Sequence, residues 1–189
     1  MNTEHLEGGF ADPPRDAAHA FRATLQALSR PGRIETLSGA EPPVPCSPAA
    51  GAILLTLCDT TTPLHLAPSH DTEALRGWIA FHTGAPLVSV REAAFALGTW
   101  EALQPVDRFC IGTAEYPDRA ATLIVEVERL EAKGARLTGP GIETDAALSL
   151  PETAAFRRNR ARFPLGFDCF FTCGNRVAGL PRSTTVEEG

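Results

Sequence analysis

Ala18, Phe21, Leu25 and Leu28 stand three or four residues apart, the spacing that lines up one face of a helix. Asp12 offers an N-cap, Pro13 suits the first helical position and Pro31-Gly32 stops the run, so a helix is predicted over 13–29 with that stripe as its apolar face. A short strand follows over 33–37. Ser47-Pro48 opens a second helix through Ala49, Ile53, Leu54 and Leu57, apolar nearly all round and therefore buried. Residues 63–67 read as a short strand, and Asp71 or Thr72 caps a third helix through Leu75, Trp78 and Phe81. Residues 86–90 and 94–97 are strand-like, and 100–110 reads as two short helical pieces broken at Pro105.

The strongest strand spans 121–130, where Leu123, Val125 and Val127 alternate with Ile124, Glu126 and Glu128. The EAKG that follows is expected to turn it back into ARLTG as an antiparallel hairpin. Residues 151–162 suit a helix that is basic on one side. FDCFFTC and RVAGLP flank Gly174-Asn175, a two-residue hairpin turn. Helices alternate with strands in the first half and hairpins dominate the second. That mixture predicts an α/β fold, three layers (α/β/α) around a mixed sheet.

No repeat or low-complexity linker interrupts the pattern, so one domain is expected over 1–189, with 1–11 and 183–189 extended or flexible. A chain of 189 residues buries roughly 70% of its unfolded surface and needs no staple to fold. The hydrophobic fraction of 43% and charged fraction of 21% are ordinary for a globular protein. The longest apolar stretch, around 49–57, is far short of the roughly 18 residues of a membrane span. A net charge of −6 argues against nucleic acid as a partner, although Arg157, Arg158, Arg160 and Arg162 make a local basic patch. The acidic start MNTEHLEGGFADPPRD lacks the pattern of a secretory signal. Five scattered cysteines suit reduced thiols, and the expected location is cytoplasmic.

Candidate chemistry is sparse. In RLTGPGIE (136–143) the glycines flank a proline beside Arg136, but no lysine or helix start follows Gly141 as a P-loop requires. A bend at the end of an edge strand is the simpler reading; phosphate contact stays open if Arg136 faces a pocket. Cys169 and Cys173 on one strand would lie about 13 Å apart, too far for one zinc, and read as thiols packed beside Phe167 and Phe171. His82 ends the third helix in FHTGAP, where it can meet the last carbonyls or serve as an anion ligand, with Gly84 at C′. His19, Arg22 and Gln26 share a helix face, either solvated or anion-binding. Arg182 followed by Ser183, Thr184 and Thr185 suits phosphate or phosphonate oxygens, or else a polar terminus. No GxSxG elbow, HExxH helix or acidic calcium loop is present, and no metal site is expected.

Four segments taken together resemble one family. They are DAAHAFRATLQALSRPG near the start, FHTGAPLVS at 81–89, RLTGPGI at 136–142 and FPLGFDCFFTCGNRVAGLPRSTTVE at the end. In this order and spacing, from about residue 10 to residue 188, the chain resembles the PhnH family, the H subunit of the bacterial carbon–phosphorus lyase system of phosphonate catabolism. The match is least clear in the acidic start and over 100–119.

The resemblance implies a fold similar to the large domain of pyridoxal-phosphate-dependent transferases. It implies a homodimer in isolation and, in the cell, an assembly with the G, I and J subunits. With the G, I and L subunits, the H subunit takes part in displacing adenine from ATP by a phosphonate, which yields ribose 1-phosphonate 5-triphosphate. The radical, iron–sulfur J subunit breaks the carbon–phosphorus bond later.

The chain has one lysine, Lys133, in the expected EAKG turn, a poor place for a Schiff-base amine, so no pyridoxal phosphate or other cofactor is expected. No catalytic residue is assigned. Three functional readings follow: an interaction subunit inactive alone; a contributor to a shared site in which Arg136, His82, Arg182 and Thr184 hold oxyanions; and a free-standing pyridoxal enzyme, against which the lysine argument counts.

Overall fold

The computed structural model describes residues 6–189; residues 1–5, the first part of the stretch expected to be extended, lie outside the described residues. In chain order the elements are α1 (Pro13–Ser29), β1 (Ile34–Thr36), α2 (Pro48–Leu57), β2 (Leu64–Leu66), α3 (Glu73–His82), β3 (Phe95–Thr99) and α4 (Trp100–Leu103). Then come β4 (Thr122–Glu126), β5 (Ala135–Thr138), β6 (Ala146–Leu148), α5 (Ala154–Ala161), β7 (Asp168–Cys173), β8 (Arg176–Leu180) and β9 (Thr185–Glu187). Single 3-10 turns occupy Val106–Arg108 and Pro117–Arg119.

The helix starts follow capping chemistry. Ser47 Oγ accepts from the Ala50 N–H at 3.2 Å, with Pro48 at the first helical position. At α3 Thr72 is the cap, its Oγ1 accepting from the Leu75 N–H at 3.2 Å, because Asp71 is bound by Arg76 instead. Asp12 makes no side-chain cap on α1; its own N–H donates to Asp16 Oδ2 at 2.9 Å.

Six strands form the main sheet in the order β1-β8-β7-β4-β3-β2. β2, β3, β4 and β7 are mutually parallel, while β8 runs antiparallel to both β7 and β1. The Gly174-Asn175 hairpin forms as expected, with Cys173 opposite Arg176. Alternation along the strands divides the core. Leu66, Leu97, Ile124, Phe170 and Val177 pack beneath α1, α2 and α3. Ala96, Leu123, Val125, Cys169 and Phe171 face the other way, against Trp100 and Leu103 of α4, Phe156 of α5 and Leu137, Leu148 and Val186 of a second sheet. This is a mixed α/β fold whose central sheet is covered on both faces. No helix among the described residues is long and apolar enough to cross a membrane.

Four expectations need correction. The expected β4–β5 hairpin does not form. Both edges of β4 are already occupied, by β3 and β7, so β5 leaves to make a three-stranded sheet, order β6-β5-β9, over the α5 side. β4 itself ends at Glu126, and residues 86–90 contribute only one bridge, Leu87 to Leu64.

The fourth correction concerns α1. Its buried residues are Ala20, Thr24 and Ala27, whereas Phe21 and Leu25 are 52% and 51% exposed. The reason is the closeness of α1 to β8: a Cβ on Gly179 would lie 2.6 Å from Leu28 Cα. Backbones that near leave room only for small residues between them, so the bulkier stripe turns outward.

Gly179→Ala is therefore expected to cost about 1–3 kcal/mol through overpacking. Gly77→Ala, inside α3 with nothing within 4 Å of the added methyl, should gain about 0.5–1 kcal/mol. Urea unfolding of the two variants checks the opposite signs.

Candidate functional site

β4 carries one carboxylate, Glu126, at its carboxyl end, on the side that faces α2. The Ser47 N–H, at the N-cap of α2, donates to Glu126 Oε1 at 2.7 Å, and the Thr172 hydroxyl of β7 donates to Oε2 at 2.9 Å. Burial pushes the Glu126 carboxyl above the usual range, and those hydrogen bonds oppose the push. His70 lies alongside, its side chain 2% exposed and its Nε2 3.9 Å from Glu126 Oε1. Burial holds this imidazole below its ordinary value, with the Pro45 carbonyl opposing.

The other ring nitrogen is fixed. His70 Nδ1 lies 2.9 Å from Ser69 Oγ, which also accepts from the Thr99 N–H at 3.0 Å. The Ser69 hydroxyl can donate to Nδ1, and in that tautomer the ring proton sits on Nε2, which faces Glu126 from beyond hydrogen-bond distance. Ser69, His70 and Glu126 thus lie together near the ends of β3 and β4, the first two hydrogen-bonded and the last two 3.9 Å apart. Cys46, deeply buried beside it, has its thiol pushed well up by burial and by the Glu126 charge, so it is an inert neighbour.

Glu126 opens into a cleft of 390 Å³ lined by Thr99, Trp100 and Glu101 at the start of α4, by 126–129, and by 149–151. The Trp100 indole N–H, buried in its wall, donates to Glu152 Oε1 at 3.2 Å. A crevice beyond the carboxyl ends of parallel strands is where open α/β sheets bind ligands. A carboxyl whose pKa burial raises, beside an imidazole whose pKa burial lowers, is a candidate for giving or taking a proton. Among the described residues no cluster of three His, Cys, Asp or Glu side chains could hold a metal ion.

The residues singled out from sequence fall elsewhere. Arg136 is half exposed on β5, donating to Glu187 Oε2 at 2.8 Å with Asp145 3.9 Å away. The GPG that follows makes the bend: the Ile142 N–H donates to Gly139 O at 3.1 Å, and Gly141, at φ +83°, lies against the Ser29 carbonyl, where no side chain fits. His82 stacks on Trp78 at 4.9 Å and is covered by Gly9, with its Nε2 buried and unpartnered. Arg182 commits its guanidinium to Asp168, at 2.6 Å from NH2 to Oδ2, and to the Pro117 carbonyl at 2.7 Å. Thr184 is buried near it with Oγ1 unpartnered.

Arg182 and Thr184 thus share one loop, Arg136 sits on the second sheet, and His82 packs on the α1–α3 side of the main sheet. Cys169 lies in the core as expected, while Cys173 is half-buried at the strand end; the five cysteines are free thiols. Sequence reasoning missed Glu126 and His70. The one signal was a glutamate on the inward-facing register of LIVEVE, the same register as Ile124.

The fold and cleft define an α/β protein with a buried glutamate beside a buried histidine at the carboxyl edge of its sheet. The chain belongs to the family described as bacterial phosphonate metabolism protein (PhnH), whose model matches residues 8–187. It is 42% identical over 189 residues to a Rhizobium meliloti (strain 1021) protein described as alpha-D-ribose 1-methylphosphonate 5-triphosphate synthase subunit PhnH, covering 95% of this chain and 94% of that one. A Stutzerimonas stutzeri protein, HtxG, described as a candidate C-P lyase subunit, is 33% identical over 205 residues, with 95% of each chain covered.

Two measurements check the site. The folded pKa of Glu126 is raised, so its contribution to stability is full below the unfolded value of about 4.3 and is lost as pH rises through the folded value. Glu126→Gln keeps an acceptor for Ser47 but removes the charge. Its stability relative to the parent should therefore rise with pH across that window and then level off, read by urea unfolding at a series of pH values. Arg182→Ala leaves the half-buried Asp168 carboxylate without its cation and should cost about 2–4 kcal/mol by the same method.

Proposed function

We propose that this protein is a non-autonomous subunit of the enzyme assembly that joins a phosphonate to C1 of a ribose 5-triphosphate in phosphonate catabolism. The observation that carries the reading is the match along 95% of the chain to a protein described as a subunit of that synthase. In the reaction that the family resemblance implies, a phosphonate oxygen attacks C1 of ATP's ribose and the C1–N bond breaks. Adenine leaves with the electron pair and takes up a proton. Glu126 is the group on this chain suited to supply it, because it lines the cleft and burial raises the pKa of its carboxyl, which favours the protonated form. His70, hydrogen-bonded to Ser69 and 3.9 Å from that carboxyl, is placed to bias its charge.

We further propose that the chain works with the G, I, J and L subunits, forms a homodimer in isolation and acts in the cytoplasm. The outward stripe of Phe21 and Leu25 on α1 supports a role in assembly, since apolar side chains left in water on one helix face gain by being covered. A second reading, a scaffold without chemistry of its own, draws on the same stripe.

The main sheet also supports likeness to the large domain of pyridoxal-phosphate transferases: five of its six strands run one way, only β8 runs against them, and both faces are covered. The cofactor's chemistry does not follow from the fold. Lys133 is 69% exposed and ion-paired with Glu131 at 3.1 Å, a solvated ammonium rather than a desolvated amine.

Reconstitution of the first step with and without this chain tests the reading, with nucleobase release as the signal. Omission should abolish release. Glu126→Gln should lower it by about 100-fold or more while the assembly still elutes as one complex. Full turnover by the assembly carrying Glu126→Gln would leave the scaffold reading standing alone.

A further inference from the structure

A second pocket, of 600 Å³, lies on the other side of α4 from the Glu126 cleft, lined by His65 and Leu66 of β2, Pro68, Asp71, Ala102, Gln104 and Arg108. Its wall holds three of the buried side-chain polar atoms that lack a hydrogen-bond partner among the described residues: His65 Nε2, Gln104 Nε2 and Arg108 Nε. Native interiors rarely leave such groups unpaired, and three around one pocket point to a missing polar occupant.

Their chemistry is consistent. Gln104 Nε2 and Arg108 Nε are donors, and the guanidinium carries a fixed positive charge. Arg108 is steadied by the Ala102 carbonyl, 3.4 Å from NH2, and by the Phe109 ring, 5.7 Å from its guanidinium carbon. His65 Nδ1 lies 3.1 Å from the Val88 carbonyl and must donate to it, which leaves Nε2 as a lone pair in the neutral ring. Nε2 can therefore accept from a protonated phosphate oxygen or, once protonated itself, donate to a bare one. The opposing charge is Asp71, and Arg76 neutralises it through two hydrogen bonds to the carboxylate.

We propose that this pocket binds a tetrahedral oxyanion of the phosphate or phosphonate type, with Arg108 supplying charge and Gln104 and His65 completing the contacts. The three nitrogens are shielded from water, so direct contact requires Gln104 and Arg108 to turn outward by a rotamer step. One loop joins this pocket to the first site: Pro68 and Asp71 line the pocket, while Ser69 and His70 between them face Glu126. α4 separates the two spaces, with Thr99, Trp100 and Glu101 on one side and Ala102 and Gln104 on the other.

Binding to the isolated full chain tests this without reference to turnover, so its failure is distinct from failure of the proposed function. Inorganic phosphate, methylphosphonate and magnesium-free ATP would each be titrated by calorimetry into the parent, Arg108→Gln, Gln104→Leu and, as a control, Arg158→Gln on the exposed side of α5. At least one probe should bind the parent saturably at millimolar concentration or below. Arg108→Gln should weaken it by about tenfold or more and Gln104→Leu by about threefold or more, with Arg158→Gln unchanged.

The preferred probe tells a polyphosphate from a phosphonate as the source of the oxyanion. If Arg108→Gln fails to fold by circular dichroism, Gln104→Leu and the imidazole NMR shifts of His65 on titration decide instead. Absence of saturable binding by every probe, or equal affinity in the parent and the folded variants, overturns the proposal.

Discussion

β4 is enclosed on all sides: parallel strands pair both of its edges, and apolar side chains cover both of its faces. A polar side chain on that strand has no route to solvent except past the strand's end, and that is where Glu126 stands. The enclosure explains most of what is unusual nearby. It desolvates the carboxyl, and it makes the Ser47 N–H and the Thr172 hydroxyl necessary partners. It also brings a nearly unexposed histidine to 3.9 Å from the carboxylate. The same closure denies β4 a hairpin partner and sends the chain off to build the second sheet.

The two faces of the main sheet are used differently. On the α1–α3 side the contacts are close and small, with Gly179 against the backbone of α1 and alanines along α2. The bulkier residues that α1 turns outward there, Phe21 and Leu25, are exposed. On the α4–α5 side the packing is aromatic: Trp100, Phe156 and Phe171 stack around a ring separation of 4.9 Å between the first two. α4 is a single turn capped by Thr99, yet it forms a wall of both pockets. A short, well-capped turn at the carboxyl edge of parallel strands can place side chains in two spaces without a long loop to order.

Membership in the phosphonate-metabolism family fits a chain that carries part of a site rather than a complete one. Glu126 and His70 lie together at the strand ends and Arg108 lines a separate pocket, and no metal-binding cluster accompanies them among the described residues. Arg182, whose sequence context suggested oxyanion contact, is bound to Asp168 and anchors the loop between β8 and β9. Arg136 likewise pairs within its own small sheet.

Local signals in the chain determined the bounds of α1, the Ser47 cap, the Gly174-Asn175 hairpin, the GPG bend and the overall α/β class. Each depends on neighbours a few residues away, where capping, φ preference and periodicity act. The family was equally legible, through four motifs in fixed order. Which face of α1 is buried, which strands flank β4 and which polar residues converge were decided only in three dimensions. Ser47, His70, Glu126 and Thr172 are far apart in the chain, and nothing local marks one as the partner of another. The outward turn of Phe21 and Leu25 likewise follows from a glycine on β8, near the other end of the chain, because steric closeness between backbones is a property of the packed layers and not of the helix itself.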